Sequence, residues 1–106
     1  MSEMERHFVD VIRALRPGEV VSYGDVADDA GFHGRSRAVG HLLAATDQEL
    51  PWWRVVTSTG RLVPGHELDQ AEILRSEGVT VLDARVRRAK YGRFAVSERA
   101  TRRLPP

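Results

Sequence analysis

The first 45 residues are punctuated as three short helices, and this punctuation restricts the fold more than any other feature of the chain. Ser2 with Glu5 forms a capping box, and Phe8, Val11, Ile12 and Leu15 follow at the spacing of one buried helical face. Pro17-Gly18 stops that helix, and Val20-Val21 reads as a short extended link. Ser22 with Asp25 forms a second capping box, opening a helix through Val26, Ala27 and Ala30 that Gly31 ends. After a turn at His33 and Gly34, a third helix is expected from about Arg35 to Ala45. Its Val39, Leu42 and Leu43 fall on one side, and Ser36, Arg37, Gly40, His41 and Ala44 on the other. Small side chains let a helix approach a surface closely, and the one Arg supplies a reaching group. Two short helices, the second with such a face, make the pattern of a helix-turn-helix.

Further along, Trp53 to Val56 and Arg61 to Val63 flank Ser58-Thr59-Gly60, which predicts a hairpin with glycine in its turn. A helix is expected from about Leu68 to Glu77, stopped by Gly78, and a strand from Val79 to Leu82. The fold class is therefore mainly α with a small β-hairpin, a winged helix-turn-helix-like domain. A chain of 106 residues suits one domain. Residues 1–83 are read as its DNA-binding part, and residues 84–106 as a basic C-terminal segment of the same domain, anchored by Tyr91, Phe94 and Val96 and frayed at Arg102 to Pro106.

Charge divides the chain at that boundary. Residues 1–83 hold 8 Arg against 14 Asp or Glu, a balance of −6, whereas residues 84–106 hold 8 Arg or Lys against 1 Glu, a balance of +7. Such asymmetry suggests a segment that meets a polyanion, and Arg87, Arg88 and Arg93 are its candidate phosphate contacts. There are 0 cysteines, so the chain has no disulfide, no thiolate metal ligand and no cysteine nucleophile. His7, His33, His41 and His66 are not spaced as ligand pairs on a helix face, so no metal and no cofactor are expected. No apolar run reaches the roughly 20 residues that span a bilayer, and Met1 to Arg6 lack a signal-peptide pattern. A cytoplasmic monomer is the expectation.

Three stretches in order resemble the C-terminal domain of the O6-alkylguanine-DNA alkyltransferases. They are Val21-Ser22-Tyr23-Gly24-Asp25-Val26-Ala27, Arg37-Ala38-Val39-Gly40 and Pro51-Trp52-Trp53-Arg54-Val55-Val56, and Arg37 follows Tyr23 by the family's 14 positions. The enzymes carry Pro-Cys-His-Arg-Val at the third stretch, where Cys accepts the alkyl group. Here Trp52 stands at the Cys position and Trp53 at the His position. Loss of that Cys defines the alkyltransferase-like proteins, which place Trp there and usually keep His or Gln next. Glu77 matches the Glu that orients the enzyme's His, and it is assigned a structural role, bonding an Arg or backbone groups. Arg54 is assigned to bracing the hairpin or the recognition helix, and Trp53 to packing. Thr46 stands where the family has Asn, and the loop Val63-Pro64-Gly65-His66-Glu67 lacks the enzymes' Tyr, so the range of lesions accepted is expected to differ.

The resemblance implies a mechanism. An alkyl group on O6 of guanine is hidden in a stacked duplex, so inspection requires flipping the nucleotide out at a cost of a few kcal/mol. Tyr23 would rotate the 3′ phosphate, Arg37 would enter from the minor groove and replace the departed base, and Ala38 and Gly40, with Ser36 beside them, would keep the helix small enough to fit. The extruded base would enter a pocket bordered by Pro51, Trp52 and the Val63–Glu67 loop, with Val63 and Gly65 as the loop's named pocket residues. Trp52 either stacks against that base or fills the space of a lost active site. The implied function is non-catalytic recognition of O6-alkylguanine in double-stranded DNA, with the lesion then passed to nucleotide excision repair proteins. The competing reading is a small helix-turn-helix transcriptional regulator. Such readers favour Arg, Asn or Gln on the exposed helix face, in which Ser36, Arg37, Gly40 and His41 are poor.

Overall fold

The computed structural model describes residues 1–96. Its order is α1 (Glu3–Arg13), β1 (Glu19–Ser22), α2 (Tyr23–Asp29), α3 (Ser36–Ala45), a 3-10 turn (Trp52–Arg54), β2 (Val55–Val56), α4 (Glu67–Ser76), β3 (Thr80–Leu82), β4 (Arg85–Arg88) and β5 (Tyr91–Gly92). The fold is mainly helical with small sheets. Both capping boxes form. The Glu5 N–H donates to Ser2 Oγ at 3.1 Å and the Asp25 N–H to Ser22 Oγ at 3.0 Å, each answered by a bond back to the cap's own N–H. Among the described residues no helix is long and apolar enough to cross a membrane.

The link at Val20-Val21 is more than a link. It lies within β1, the centre of a three-stranded parallel sheet ordered β2-β1-β5. Successive residues of a strand face opposite sides, and this strand uses both. Val21 joins a first core with Phe8, Ile12, Val26, Val39 and Leu42. Val20 joins a second with Leu62, Leu74, Val79, Val81 and Val86. Its partner β2 divides in the same way, with Val55 in the first core and Val56 in the second.

That division corrects the expected hairpin. Val55-Val56 does not pair with Arg61 to Val63. It runs parallel to β1 in the register Val21 to Val55 and Ser22 to Val56. A strand buried on both faces reads as an unbroken apolar pair, without the alternation of a half-exposed hairpin arm. Gly60 turns the chain as expected, at φ +90°, but it delivers Arg61 to Arg85 in an antiparallel bridge. The true hairpin is β3–β4, closed by Asp83 and Ala84 at φ 53° and 57°. Two consecutive left-handed residues make the turn type whose twist suits a two-residue hairpin.

Much of the basic segment up to Phe94 belongs to this framework. β4 completes the hairpin and β5 pairs with β1, where a Cβ on Gly92 would lie 2.5 Å from the Val20 carbonyl oxygen. Phe94 packs against the second core, whereas Tyr91 and Val96 are exposed, Tyr91 beneath the Arg16 guanidinium. The expected frayed end, Arg102 to Pro106, lies outside the described residues.

Candidate nucleic-acid interface

β1 ends at Ser22, and the capping box turns the chain at once into α2, so Tyr23 leaves the sheet at the first position of a helix. α2 and α3 then pack together, Val26 and Ala27 against Val39 and Leu42, with Gly31 (φ +87°) and Gly34 (φ +85°) supplying left-handed bends between them. The 3-10 turn lies beyond α3, held by the Trp52 N–H on the Leu50 carbonyl (2.7 Å) and the Arg54 N–H on that of Pro51 (3.1 Å).

Between these elements lies a cleft of about 460 Å³, lined by Tyr23, Gly40, Leu43, Ala44, Trp52, Val63, Pro64 and His66. Small-molecule sites span roughly 300–1,000 Å³. Four of the residues singled out in the sequence meet here: Tyr23, Gly40, Trp52 and Val63. Pro51 borders a separate groove on the outer side of Trp52, together with Arg13, Gln48 and Arg54. Gly65 is exposed in the loop itself and does not line the cleft. Ser36 lies in a shallow hollow shared with Tyr23 and Arg93, and Ala38 packs partly against the first core. Arg37 is exposed and, among the described residues, its guanidinium has no hydrogen-bond or ion-pair partner. Burial pushes the Tyr23 hydroxyl up, so the phenol stays protonated and neutral.

Gly40 is informative because nothing in the fold requires it. A Cβ there would meet only Tyr23 Cε1, at 4.0 Å, an ordinary contact. Its φ is not left-handed. A helical glycine costs roughly 0.5–1 kcal/mol relative to Ala, and packing among the described residues does not account for that cost.

Trp52 and Trp53 have opposite surroundings. Trp52 is half-buried in the cleft, with the His66 ring 5.6 Å away at 63°. Trp53 points into a polar knot centred on Glu77. Its Nε1–H donates to Glu77 Oε2 at 2.9 Å, Arg54 donates Nε–H to Oε1 at 3.0 Å and Nη2–H to Oε2 at 2.7 Å, and the Gly18 N–H donates to Oε1 at 3.0 Å. Arg54 Nη1 reaches the Leu15 carbonyl at 3.0 Å. The knot thus joins the end of α1, the 3-10 turn and the end of α4, so the bonds of Arg54 brace these elements and not the expected hairpin or recognition helix. Desolvation pushes the Glu77 carboxyl up, but the bonds from Arg54, Gly18 and Trp53, with the Arg54 charge, outweigh it and hold the carboxyl below its ordinary range.

The loop expected at the pocket supplies Pro64 and His66 beside Val63, whereas sequence reasoning missed Leu43 and Ala44 as lining residues and overlooked Gln70. Fully buried, Gln70 accepts from the Val63 N–H at 2.7 Å and donates to the Trp53 carbonyl at 3.1 Å, fastening the cleft's loop to the 3-10 turn. A polar residue beside Ala71 on the buried side of α4 was the available signal. Of the candidate phosphate contacts, Arg93 is engaged internally, with Asp25 at 3.0 Å and the Ser58 carbonyl at 3.0 Å, whereas Arg87 and Arg88 are exposed on β4.

Residues 3–79 match the family model described as 6-O-methylguanine DNA methyltransferase, DNA binding domain. The chain belongs to this family. It is 39% identical over 75 residues to the DNA base-flipping protein of Vibrio parahaemolyticus, covering 67% of this chain and 75% of that protein. It is 29% identical over 87 residues to alkyltransferase-like protein 1 of Schizosaccharomyces pombe, covering 76% of this chain and 81% of that one. The crystal structure of S. pombe Atl1 with damaged DNA containing O6-carboxymethylguanine superposes with a TM-score of 0.70 at 27% identity, over 77% of this chain and 82% of Atl1. Mycobacterium tuberculosis OGT in complex with DNA superposes with a TM-score of 0.64 at 26% identity, over 73% of this chain and 50% of that one.

Proposed function

We propose that this member of the alkyltransferase family is a non-catalytic sensor of O6-alkylguanine in duplex DNA, which flips the damaged nucleotide into the Trp52 cleft and marks it for nucleotide excision repair. The observation that carries the reading is the cleft itself: Trp52, at the position of the alkyl acceptor, forms one wall, and Tyr23 and Gly40 of the helix pair line the same space. A base extruded past α3 has an aromatic face to meet, and base–aromatic stacking contributes roughly 1–3 kcal/mol. That is of the order of the few kcal/mol that extrusion costs.

The roles follow from placement. Tyr23, neutral at the start of α2, crowds the 3′ phosphate without repelling it. Arg37, exposed on α3, fills the vacated stack and bonds the orphaned cytosine. Ser36, Ala38 and Gly40 keep that face of α3 low enough to approach the minor groove. Pro51 sets the start of the 3-10 turn that presents Trp52, and Gly65, at φ +85°, bends the loop that brings Val63 to the cleft. The base-flipping and alkyltransferase-like names of the relatives support this reading, as does damaged DNA in the Atl1 structure. With 0 cysteines, the chain lacks the family's alkyl acceptor, and an indole does not replace a thiolate. Hand-over to excision repair is carried from the family resemblance, since a sensor without chemistry acts only through proteins that read its complex.

Duplexes differing only by an O6-methyl group test the reading. The methylated duplex should bind at least about tenfold more tightly, roughly 1.4 kcal/mol. Protein recovered from it should have an unchanged intact mass. Equal affinities would favour the regulator, and a methyl adduct on the protein would establish transfer.

A further inference from the structure

The cleft contains one polar group whose place the fold does not explain. His66 is the N-cap of α4, a position where Ser, Thr, Asp or Asn would bond the first turn, yet its side chain makes no capping bond. Its backbone is fixed at both ends: the N–H donates to the Val63 carbonyl at 3.0 Å and the carbonyl accepts from the Gln70 N–H at 2.9 Å. The imidazole is exposed, lines the cleft beside Trp52 and, among the described residues, has no hydrogen-bond partner on either nitrogen. The other polar side-chain groups of the lining are the Tyr23 hydroxyl and the Trp52 indole N–H. The neighbouring Glu67 carboxylate is occupied by the Gly65 N–H at 2.8 Å.

We infer that His66 is a specificity-determining residue that donates an N–H to O6 adducts ending in a carboxylate or another strong acceptor, and so favours them over alkyl adducts of equal size. This rests on the proposed lesion pocket and names the adduct chemistry it selects. An adduct held against Trp52 has Val63, Pro64 and Leu43 for its apolar portion and His66 for an acceptor at its end. An imidazole always carries at least one N–H donor. A hydrogen bond to a charged acceptor is stronger than one between neutral groups, so the effect belongs chiefly to anionic adducts.

The test compares duplexes carrying O6-carboxymethylguanine, O6-propylguanine or guanine, with the parent protein, His66→Phe and His66→Gln. Phe keeps a ring against Trp52 without a donor, and Gln restores an N–H without the ring. Because the side chain is exposed and makes no hydrogen bond among the described residues, both variants should fold as the parent does. The carboxymethyl-to-propyl affinity ratio should fall about tenfold in His66→Phe, the size of one charge-assisted bond, and recover in part in His66→Gln. Propyl binding should change little in His66→Phe. Retained lesion binding with the same ratio in all three proteins overturns the assignment of His66 alone. If neither adduct binds better than guanine, the lesion pocket itself is overturned, and this inference with it.

Discussion

The cleft around Trp52 and the knot around Glu77 are adjacent in space and follow opposite rules. In the knot, the four donors that converge on Glu77 are all satisfied, and the Arg54–Glu77 side chains are only 11% exposed. In the cleft and on the adjoining face of α3, polar groups have no partners among the described residues, and residues occupy places that packing and capping would fill otherwise: His66 at a helix cap, Gly40 in mid-helix, Arg37 exposed on α3. The boundary runs between consecutive residues. Trp52 faces the open side and Trp53 the closed one, so on the proposed reading the two substitutions in one motif divide between recognition and scaffold. The Trp53 indole N–H donates to Glu77, the residue that by resemblance matches the Glu orienting the enzymes' His.

If the knot is scaffold, damage to it should be the largest effect available. Glu77→Ala strands the Arg54 guanidinium in a nearly buried site, and loss of one partner of such a pair costs about 3 kcal/mol or more. Denaturant unfolding should register that loss. The same ion pair sets an acid limit. Because the folded carboxyl lies below its ordinary range, its stabilisation is complete above the unfolded value of about 4.3 and fades as the pH falls through the folded value. Glu77→Gln should flatten that acid limb of a stability–pH profile. A profile identical to the parent's would show that the knot does not hold the fold.

The two tryptophans sharpen the contrast. Trp53→Phe removes one bond to a charged acceptor and should cost about 1.5 kcal/mol of stability, leaving the preference for alkylated over normal guanine intact. Trp52→Ala should do the reverse, changing Tm little while removing roughly 1–3 kcal/mol of that preference. Equal effects of the two on stability and on discrimination would erase the boundary drawn between them.

Gly40→Ala gives the smallest effect, with opposite signs in the two readouts. The protein should gain roughly 0.5–1 kcal/mol of stability, because a Cβ there meets only an ordinary contact. DNA binding should weaken, because the added methyl group stands on the face that approaches the groove. A stabilised variant that binds DNA unchanged would remove Gly40 from the interface.

What could be read from the sequence follows the range of the forces involved. Helices α1 to α3 were legible because caps, glycine stops and apolar spacing act within a turn or two. The strands were not. Val20-Val21 looks like a link because its two partners, Val55-Val56 and Tyr91-Gly92, are far along the chain, and only their arrival makes it the centre of a sheet. The hairpin was misplaced for the same reason: Gly60 was recognised as a turn, but the strand that receives Arg61 is β4. Of the residues that line the cleft, Tyr23 and Trp52 were singled out through family spacing, and His66 lies in the loop that the same resemblance places there. Gln70 was not singled out: its one signal was a polar residue beside Ala71 on the buried side of α4, and what it fastens depends on which segments the fold brings together.

The central claim is that the lesion leaves the stack and enters the Trp52 cleft while Arg37 takes its place. A fluorescent base analogue beside an O6-methylguanine reports extrusion directly. The parent should brighten the probe on binding. Arg37→Ala should need an additional amount on the order of 1–3 kcal/mol to reach the same extruded population, with its unfolding midpoint unchanged. An Arg37→Ala variant that brightens the probe and binds the lesion as the parent does would contradict the account, leaving a family fold without the family's way of opening DNA.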